Sequence, residues 1–459
     1  MADSTIAAIS TPVGVGGIGI IRLSGPDAVD ILTRLFRTAR LKPVSASDFP
    51  SHQLVYGHIV HPDTDQVVDE VLAVYMAPPR TYTCEAVVEI HAHGGAYVLH
   101  AILDLVLRAG ASVAEPGEFT RRAFMNGRID LTQAESVIDL IQAQSAAAGR
   151  LAMHMIRGGM KARMEHLRTR LIAHLTVIEA LIDFPDAVDE SDVDLPGISG
   201  DLTAGILPVI DALIAAYDQA HCLRDGVRLV IAGPPNVGKS SLLNRLLQRE
   251  RAIVTAVPGT TRDFIEEPWS LNGVPAILTD TAGIRETDDP VEQAGIDRAA
   301  THLEQADLML LVLDQTHPES AGALRHIARQ YAAIPRVVVR NKSDLPPAVV
   351  DVEDLGPSVL VSAKTGAGIP ALIRCITEQV AGLDGMLETN TIPNLRQKHA
   401  LESARVALTA AVSGLTGAVP FELIAMDLHQ AVNALDTITG RLAGPDMLDA
   451  IFNTFCIGK

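Results

Sequence analysis

The sequence predicts a multidomain protein with α/β and α-helical parts, and three observations carry that expectation. The chain has 459 residues, enough for about three domains of ~150 residues. Between residues 227 and 361, short apolar runs at 227–232, 276–278, 308–313, 336–339 and 358–361 alternate with polar or helix-like stretches. That is the rhythm of βα units around a parallel sheet. On either side the period changes. Met164, Leu167, Leu171, Leu175, Ile178 and Leu181 recur every three or four residues, as do Ile424, Leu428, Val432 and Leu435, which marks one face of a helix.

Taken in order, residues 1–123 mix β-like alternation with loops and read as an α+β region. Residues 124–182 read helical. Residues 183–200 hold six acids, two prolines and no Lys or Arg, and read as a solvated connection. Residues 395–459 read helical again, broken at Gly444-Pro445 before a last short segment. The expected boundaries are 1–123, 124–220, 221–382 and 383–459, the two helical stretches forming one bundle with the α/β domain inserted between them. Such insertion is tolerated when a domain's ends lie close together.

Composition narrows the class. Hydrophobic residues make up 48% and charged residues 20%, which excludes a wholly disordered chain. Aromatics are 3%, so the core must be built from Leu, Ile, Val and Ala. The 37 Lys and Arg against 55 Asp and Glu give a formal net charge of −18. That excludes a protein that coats nucleic acid through many phosphate contacts, but not a local basic site. Cys84, Cys222, Cys375 and Cys456 form no C-x-x-C pair, so neither a disulfide framework nor a zinc site is expected and a reducing cytoplasm fits. The stretch MADSTIAAISTP lacks the pattern of a signal peptide, and the apolar runs are too short to span a bilayer.

The strongest chemistry lies in the α/β region. Gly233-Pro-Pro-Asn-Val-Gly238-Lys239-Ser240 follows the apolar run VRLVIA and precedes the helix-like SSLLNRLL, the context that a phosphate-cradling P-loop requires. Backbone N–H groups there would hold phosphates. Lys239 would reach the β- and γ-phosphates and Ser240 would hold Mg²⁺. Asp280-Thr281-Ala282-Gly283 follows the next run, its carboxylate directed to the Mg²⁺ shell and the Gly283 N–H to the γ-phosphate. Asn341-Lys342-Ser343-Asp344 follows another. A carboxylate at Asp344 accepts from guanine N1–H and its amino group, a donor pair that adenine lacks, so GTP is expected over ATP. Ser362-Ala363-Lys364 resembles an accessory base-contacting element. Gly259-Thr260-Thr261-Arg262-Asp263 is the expected first switch, with Thr261 a second hydroxyl for Mg²⁺. Five ordered matches predict a Ras-like P-loop GTPase domain. Its GTP-binding set is Asn236, Val237, Gly238, Lys239, Ser240 and Ser241, residues 255–261 (Thr255, Ala256, Val257, Pro258, Gly259, Thr260, Thr261), Asp280 to Gly283, Asn341, Lys342, Asp344, and Ser362 to Lys364.

One part is missing. Where Ras-like GTPases carry a water-orienting Gln, this chain has Ile284, which cannot hydrogen-bond water. Glu292 is a candidate substitute, though an exposed helix-start acid explains it as readily. The Asn236 carbonyl could ligate a monovalent cation beside the phosphates and replace the charge of an arginine finger.

The flanks are equally distinctive. The chain contains Thr11-Pro-Val-Gly-Val-Gly-Gly-Ile-Gly-Ile-Ile-Arg22-Leu-Ser-Gly25, Glu89-Ile-His-Ala-His-Gly-Gly95, Pro116-Gly-Glu-Phe-Thr-Arg121, Asp130-Leu-Thr-Gln-Ala-Glu135 and Phe455-Cys456-Ile457-Gly458-Lys459. With the P-loop set, these resemble the MnmE (TrmE) family of tRNA modification GTPases over essentially the whole chain. The resemblance implies an α+β folate-binding N-terminal domain that dimerises, a helical bundle, and a G domain inserted into the bundle. It implies a homodimer that works with the FAD-containing MnmG (GidA), as a heterotetramer, on the wobble uridine U34 of certain tRNAs. A carboxymethylaminomethyl or aminomethyl group is installed at C5, with a 5-formyl- or methylene-tetrahydrofolate as one-carbon donor. It also implies potassium-stimulated GTP hydrolysis through G-domain dimerisation. Carried over residue by residue, Asn236, Thr255, Val257 and Thr260 match the K⁺ site, and Glu292 matches the water-orienting glutamate. Arg22, Glu85, Arg128 and Lys459 match the folate site, and Cys456 matches the cysteine implicated in modification. Lys239, Glu292 and Cys456 are thus the expected catalytic residues.

The chain departs from the family where Cys84-Glu85-Ala86 replaces a Gly-Glu-Asp run, and Cys84 resists the positive φ that glycine allows. Arg128 stands where lysine is common, and Pro258 removes one backbone N–H near the potassium loop. Three other patterns carry little. Gly14-Val-Gly-Gly-Ile-Gly19 fits a dinucleotide fingerprint, but strand-like IIRLSG follows it where a helix is needed. His91 and His93 have no third ligand at metal spacing. Gly458 and Lys459 fit a prenylation box poorly. A ribosome-assembly GTPase would share the G-domain motifs, but the N-terminal region and Cys456 argue for the modification enzyme.

Overall fold

The computed structural model describes residues 4–12, 14, 16–143, 146–184, 193–225, 227–247, 266–271, 274–280, 306–317, 319–348, 350–380, 391–417 and 419–459. The chain forms two compact units, Met1–Ile138 with Asp436–Lys459, and Asp139–Leu435.

The first unit contains β1 (Ile6–Ile9), β2 (Ile18–Ser24), α1 (Ala28–Leu35), β3 (Phe36–Thr38), β4 (Gln53–Val60), β5 (Val67–Met76), β6 (Val87–His93), α2 (Ala96–Arg108), β7 (Ser112–Val113), α3 (Glu118–Met125) and the start of α4 (Leu131–Gln142). Its seven-stranded sheet runs β3-β4-β5-β6-β2-β1-β7, antiparallel except for the β1–β7 pair. Alternation places Ile21, Leu23, Val71, Ala73, Val88 and Ile90 on the face covered by Ile31, Leu32 and Leu35 of α1 and Leu99, Ile102 and Val106 of α2. Gly16 and Gly17 lead into β2, as the strand-like sequence after them requires. Gly19 lies within that strand, where a Cβ would come within 2.5 Å of the Leu99 side chain, so its lack of a side chain lets α2 press on the sheet. On the opposite face, Ile18, Leu54, Tyr56 and Leu72 are 67%, 54%, 48% and 40% exposed.

The second unit begins with α5 (Ala146–Ile156), α6 (Gly159–Asp183), α7 (Leu195–Asp201), a π turn at Leu202–Ile206 and α8 (Leu207–Asp225). The periodic stripe of α6 is buried along its length, from Met160 and Met164 to Leu181. The acidic connection expected over 183–200 is partly helical. Asp194 Oδ1 accepts from the Gly197 N–H at 2.8 Å and Pro196 occupies the first turn of α7, a start signal strong enough to override the charge run. The stretch Leu195–Tyr217 is apolar enough by length and composition to cross a membrane. Its residues Leu202, Ile206, Ile210 and Leu213 are buried, and the helix packs against a later one, α12.

The chain then forms β8 (Val227–Ala232), α9 (Lys239–Leu247), β9 (Glu266–Leu271), β10 (Val274–Asp280), β11 (Leu308–Asp314), α10 (Ser320–Gln330), β12 (Arg336–Asn341), β13 (Ser358–Leu360) and α11 (Ile369–Val380). The sheet order is β13-β12-β11-β8-β10-β9, parallel except for the edge strand β9. The sequence reading missed β9, which has Pro268 at its centre. Helices cover both faces: α9 and α11 pack on the Leu229, Leu310 and Val339 side, and α10 on the Val230, Leu311 and Val338 side. Such two-sided burial is why these strands read as continuous apolar runs. The unit closes with α12 (Leu395–Thr416), which packs on α7 and α8, and the part of α13 (Phe421–Thr439) up to Leu435. The α13 stripe Ile424, Leu428, Val432 and Leu435 is buried.

The chain's last helix, α14 (Pro445–Phe452), starts at the Gly444-Pro445 break. It belongs to the first unit, where Leu448, Phe452 and Phe455 pack with Leu131 and Ala134.

Candidate functional site

The carboxyl ends of the parallel strands place four of the expected segments along one edge of the sheet. The P-loop follows β8, Asp280 ends β10, Asn341 ends β12, and Ser362-Ala363-Lys364 follows β13. Strand β8 adjoins β10 on one side and β11 on the other. Chain order reverses there, which is where open α/β sheets bind ligands.

Within the loop, Gly233, Asn236 and Gly238 have φ of +154°, +63° and +94°. A Cβ on Gly238 would fall 2.4 Å from Asn341 Nδ2, so glycine is required both by the backbone and by the approach of the base-reading segment. Asn341 is nearly fully buried. Its Nδ2 donates to the Val237 carbonyl at 2.8 Å, and its Oδ1 accepts from the Ala363 N–H at 3.0 Å. One amide therefore ties together the three loops that must converge on a nucleotide. Lys239 Nζ donates to the carbonyls of Gly233 and Pro234 at 2.8 and 2.9 Å, which holds the ammonium over the loop. Ser240 and Ser241 follow it in the first turn of α9.

Lys342 has φ +64° and its Nζ lies 2.6 Å from Asp314 Oδ2. Burial pushes the Asp314 carboxyl up, but the Lys342 ammonium and the Thr316 O–H and N–H outweigh it and hold the group at about 2. Asp344 is exposed and accepts from Ser362 Oγ at 2.6 Å, a bond that holds its carboxyl below the ordinary range. It is therefore an anion at neutral pH, as reading two donors requires. Arg245 of α9 donates to the carbonyls of Ala363 and Lys364 and braces the last loop against the P-loop helix.

In the first unit, the β2–β6 register pairs Arg22 with Glu89, and Arg22 Nε donates to Glu89 Oε1 at 2.9 Å. The Arg22 guanidinium also lies 5.8 Å from the centre of the Phe119 ring and donates to the Gly458 carbonyl at 3.3 Å. Burial lowers the Lys459 ammonium, and the Arg22 charge lowers it further. Arg22 and Lys459 are thus brought together. Glu85 is engaged elsewhere: it accepts from Ser24 Oγ at 2.7 Å and from Arg122 at 3.2 Å. Arg128 donates to the Tyr82 carbonyl at 3.0 Å and stacks over the Tyr82 ring at 4.9 Å. Cys84 does adopt a positive φ, +61°. The turn is held by Asn126 Nδ2 donating to the Thr83 carbonyl at 2.6 Å and Thr81 Oγ1 donating to the Glu85 carbonyl at 2.7 Å, bonds that offset the cost of a left-handed non-glycine residue. Cys456 is an exposed free thiol. His91 and His93 share a face of β6 but face different acids, Glu89 at 3.2 Å and Asp69 at 2.7 Å.

Comparison with known proteins bears on both units. Residues 5–128 match the N-terminus of the GTP-binding protein TrmE and residues 131–456 match the MnmE helical domain. The tRNA modification GTPases MnmE of Geobacter sulfurreducens and Chloroflexus aurantiacus are each 45% identical to this chain, covering all of it and 99% and 100% of their own length. That of Natranaerobius thermophilus is 42% identical over all of both chains. The chain belongs to the MnmE family of tRNA modification GTPases.

For this family member, several expected site residues lie outside the described residues: Thr255, Ala256, Val257, Pro258, Gly259, Thr260, Thr261, Thr281, Ala282, Gly283 and Glu292. Conversely, sequence reasoning missed Asp314, Gln315, Arg245, Arg122 and the Arg22–Glu89 pair. Asp314 carried a signal, since it is the first charge after an unbroken apolar run. Arg245 carried none, because its partners are backbone carbonyls. Arg122 carried only the i, i+4 spacing to Glu118, its other partners, Ser4 and Glu85, being far away in the chain.

Proposed function

We propose that the chain is a potassium-stimulated GTPase that, with the FAD-containing MnmG (GidA), adds a carboxymethylaminomethyl or aminomethyl group at C5 of the wobble uridine U34 of certain tRNAs. The observation that carries the guanine-nucleotide part is Asn341, which ties the P-loop to the base-reading loops through both ends of its buried amide. The tRNA part is supported by relatives named as tRNA modification GTPases that match along the whole chain.

The residues present fit the expected ligands of the nucleotide site. The cradle at Gly238 leaves no room for a Cβ, and the N–H groups of the loop and of the start of α9 suit phosphate. Lys239 compensates phosphate charge and Asp344 accepts from guanine, its carboxylate held in place by Ser362 Oγ at 2.6 Å. Ser240, Thr261 and Asp280 would hold Mg²⁺, which neutralises charge on the β- and γ-phosphates. Asn236, Thr255, Val257 and Thr260 would hold K⁺, which supplies positive charge where an arginine finger otherwise acts. Glu292 would orient the attacking water in place of the missing glutamine.

In the first unit, Arg22 and Lys459 present converging cations to a carboxylate-bearing tetrahydrofolate, 5-formyl or methylene, while Glu85 and Arg128 flank the Tyr82 loop. Cys456 lies three residues from Lys459 and is exposed to the same surroundings, which supports a part for its thiol in the modification. The exposed apolar face at Ile18, Leu54, Tyr56 and Leu72 supports a homodimer through this sheet, and with MnmG a heterotetramer. Free Cys84, Cys375 and Cys456 suit a reducing, cytoplasmic setting. Ordering of the switch loops by GTP and K⁺ would draw two G domains together, and hydrolysis would release them, coupling the nucleotide state to the modification site.

The test is GTP hydrolysis by the purified protein in potassium and in sodium at matched ionic strength. Strong potassium-selective stimulation, lost in Asn236→Ala while nucleotide binding persists, is the expected result. Equal slow rates in both salts refute the cation-assisted mechanism.

A further inference from the structure

We propose that Gln315, working through Lys342, sets how strictly the nucleotide site selects guanine. This rests on the reading of Asn341, Lys342 and Asp344 as the guanine-reading segment. Gln315 follows β11 and is 2% exposed. Its backbone brackets that segment: the N–H donates to the Asn341 carbonyl at 3.1 Å, and the carbonyl accepts at 3.0 Å from the N–H of Ala348, four residues beyond Asp344. Its side-chain Nε2 donates to the Lys342 carbonyl at 3.1 Å. The preceding residue, Asp314, holds the Lys342 ammonium at 2.6 Å. Lys342 is therefore gripped at its carbonyl and at its side chain by two consecutive residues.

The grip matters because Lys342 is left-handed, at φ +64°, a conformation that a residue with a Cβ adopts rarely. The orientation of its carbonyl fixes the peptide leading to Ser343, whose N–H donates to the Val361 carbonyl at 3.1 Å. That peptide in turn delivers the Asp344 carboxylate to Ser362. Without the Gln315 amide the Lys342 carbonyl keeps the Leu345 N–H at 3.0 Å but loses its tie to the end of β11, so the turn is held less firmly and Asp344 is less strictly placed at the guanine edge.

Gln315 is also ill suited to a merely structural role. Its Oε1 is buried and has no hydrogen-bond partner among the described residues. A buried acceptor left unpaired is unfavourable, and an apolar side chain of similar length would remove it. Stability and discrimination are thereby separable at this position.

The experiment uses the full chain and the variants Gln315→Met and Asp314→Asn. Competition against a fluorescent GDP analogue measures affinity for GTP and for inosine triphosphate, which keeps N1–H but lacks the 2-amino group. Thermal melting is recorded in parallel. Gln315→Met should melt no lower than the parent, while its preference for GTP over inosine triphosphate falls about five- to tenfold, the worth of roughly one hydrogen bond. Asp314→Asn should move the ratio in the same direction. The double variant should lose less than the two single losses combined, because both act through Lys342. A folded Gln315→Met with an unchanged ratio overturns the proposal. If that variant does not fold, an unchanged ratio in folded Asp314→Asn overturns it instead. Asp344→Asn tests the underlying reading separately: it should weaken GTP and gain xanthosine triphosphate, whose 2-oxo group can accept from the new amide. No change of base preference there refutes guanine reading by Asp344 itself, whatever the Gln315 variants do.

Discussion

Gly238 shows how much one missing side chain decides. Its φ of +94° and the 2.4 Å between a built Cβ and Asn341 Nδ2 mean that Gly238→Ala must distort the loop, the base-reading segment or both. Nucleotide affinity should fall by about tenfold or more, measured by titration with a fluorescent GDP analogue, while the helical part of the chain keeps its circular dichroism. Asp314 makes a prediction of the opposite kind, read against pH. Its carboxyl drops from an ordinary 3.8 to about 2 in the folded chain, so it contributes stability of about 2 kcal/mol at neutral pH. Because the folded value is the lower one, that contribution is fully present above about pH 4 and is lost as pH falls towards 2. The gap in melting temperature between the parent and Asp314→Asn should therefore narrow over that range, and a gap independent of pH would contradict the assignment.

The elements carry the apolar face of the first sheet. Tyr56 stands at the middle of β4, paired with Leu72 of β5, and its O–H donates to Glu70 at 2.6 Å, which raises the phenol above its ordinary value. If this face seats a second copy, Tyr56→Asp should convert the dimer to a monomer in analytical ultracentrifugation without lowering the melting temperature. A dimer unchanged by that substitution places the interface elsewhere. Most of the parallel sheet was legible in the sequence because its strands are buried on both faces and so appear as uninterrupted runs, as with Val227–Ala232. The antiparallel sheet was legible only as alternation, since a half-exposed strand such as β4 mixes Leu54 and Tyr56 with His58 and offers no run to count. Strand β9 was hidden by Pro268, which an edge strand tolerates and a central one does not. Helix α7 was hidden by its acidic surroundings. The phosphate and base motifs were legible because their chemistry needs particular residues at fixed spacing. Their braces, Arg245 and Gln315, were not, because a backbone carbonyl can be reached from almost any position in the chain.

Over the whole molecule, the second unit is interleaved with the first, since residues before 139 and after 435 belong together. A truncated chain ending at Leu435 should lose the packing of Leu448, Phe452 and Phe455 on Leu131 and Ala134. Its first unit should melt at clearly lower temperature, while the guanine-nucleotide affinity of the second stays within about twofold of the parent. Equal melting of both forms would show that the closing segment contributes nothing. The arrangement also gives the protein an order of assembly in time. On the ribosome, the residues that finish the first unit are made only after roughly 300 intervening residues. At common elongation rates this is an interval of about 15–60 s. Throughout it, the nascent chain must carry the bare side chains of Phe124, Leu131 and Ala134 in water. A trigger-type holdase that shields apolar segments should therefore be engaged early on this chain and be released only when Phe452 and Phe455 are available, so ribosome profiling of chaperone-bound nascent chains should show occupancy that begins soon after residue 138 and persists at least until Phe455 has been made.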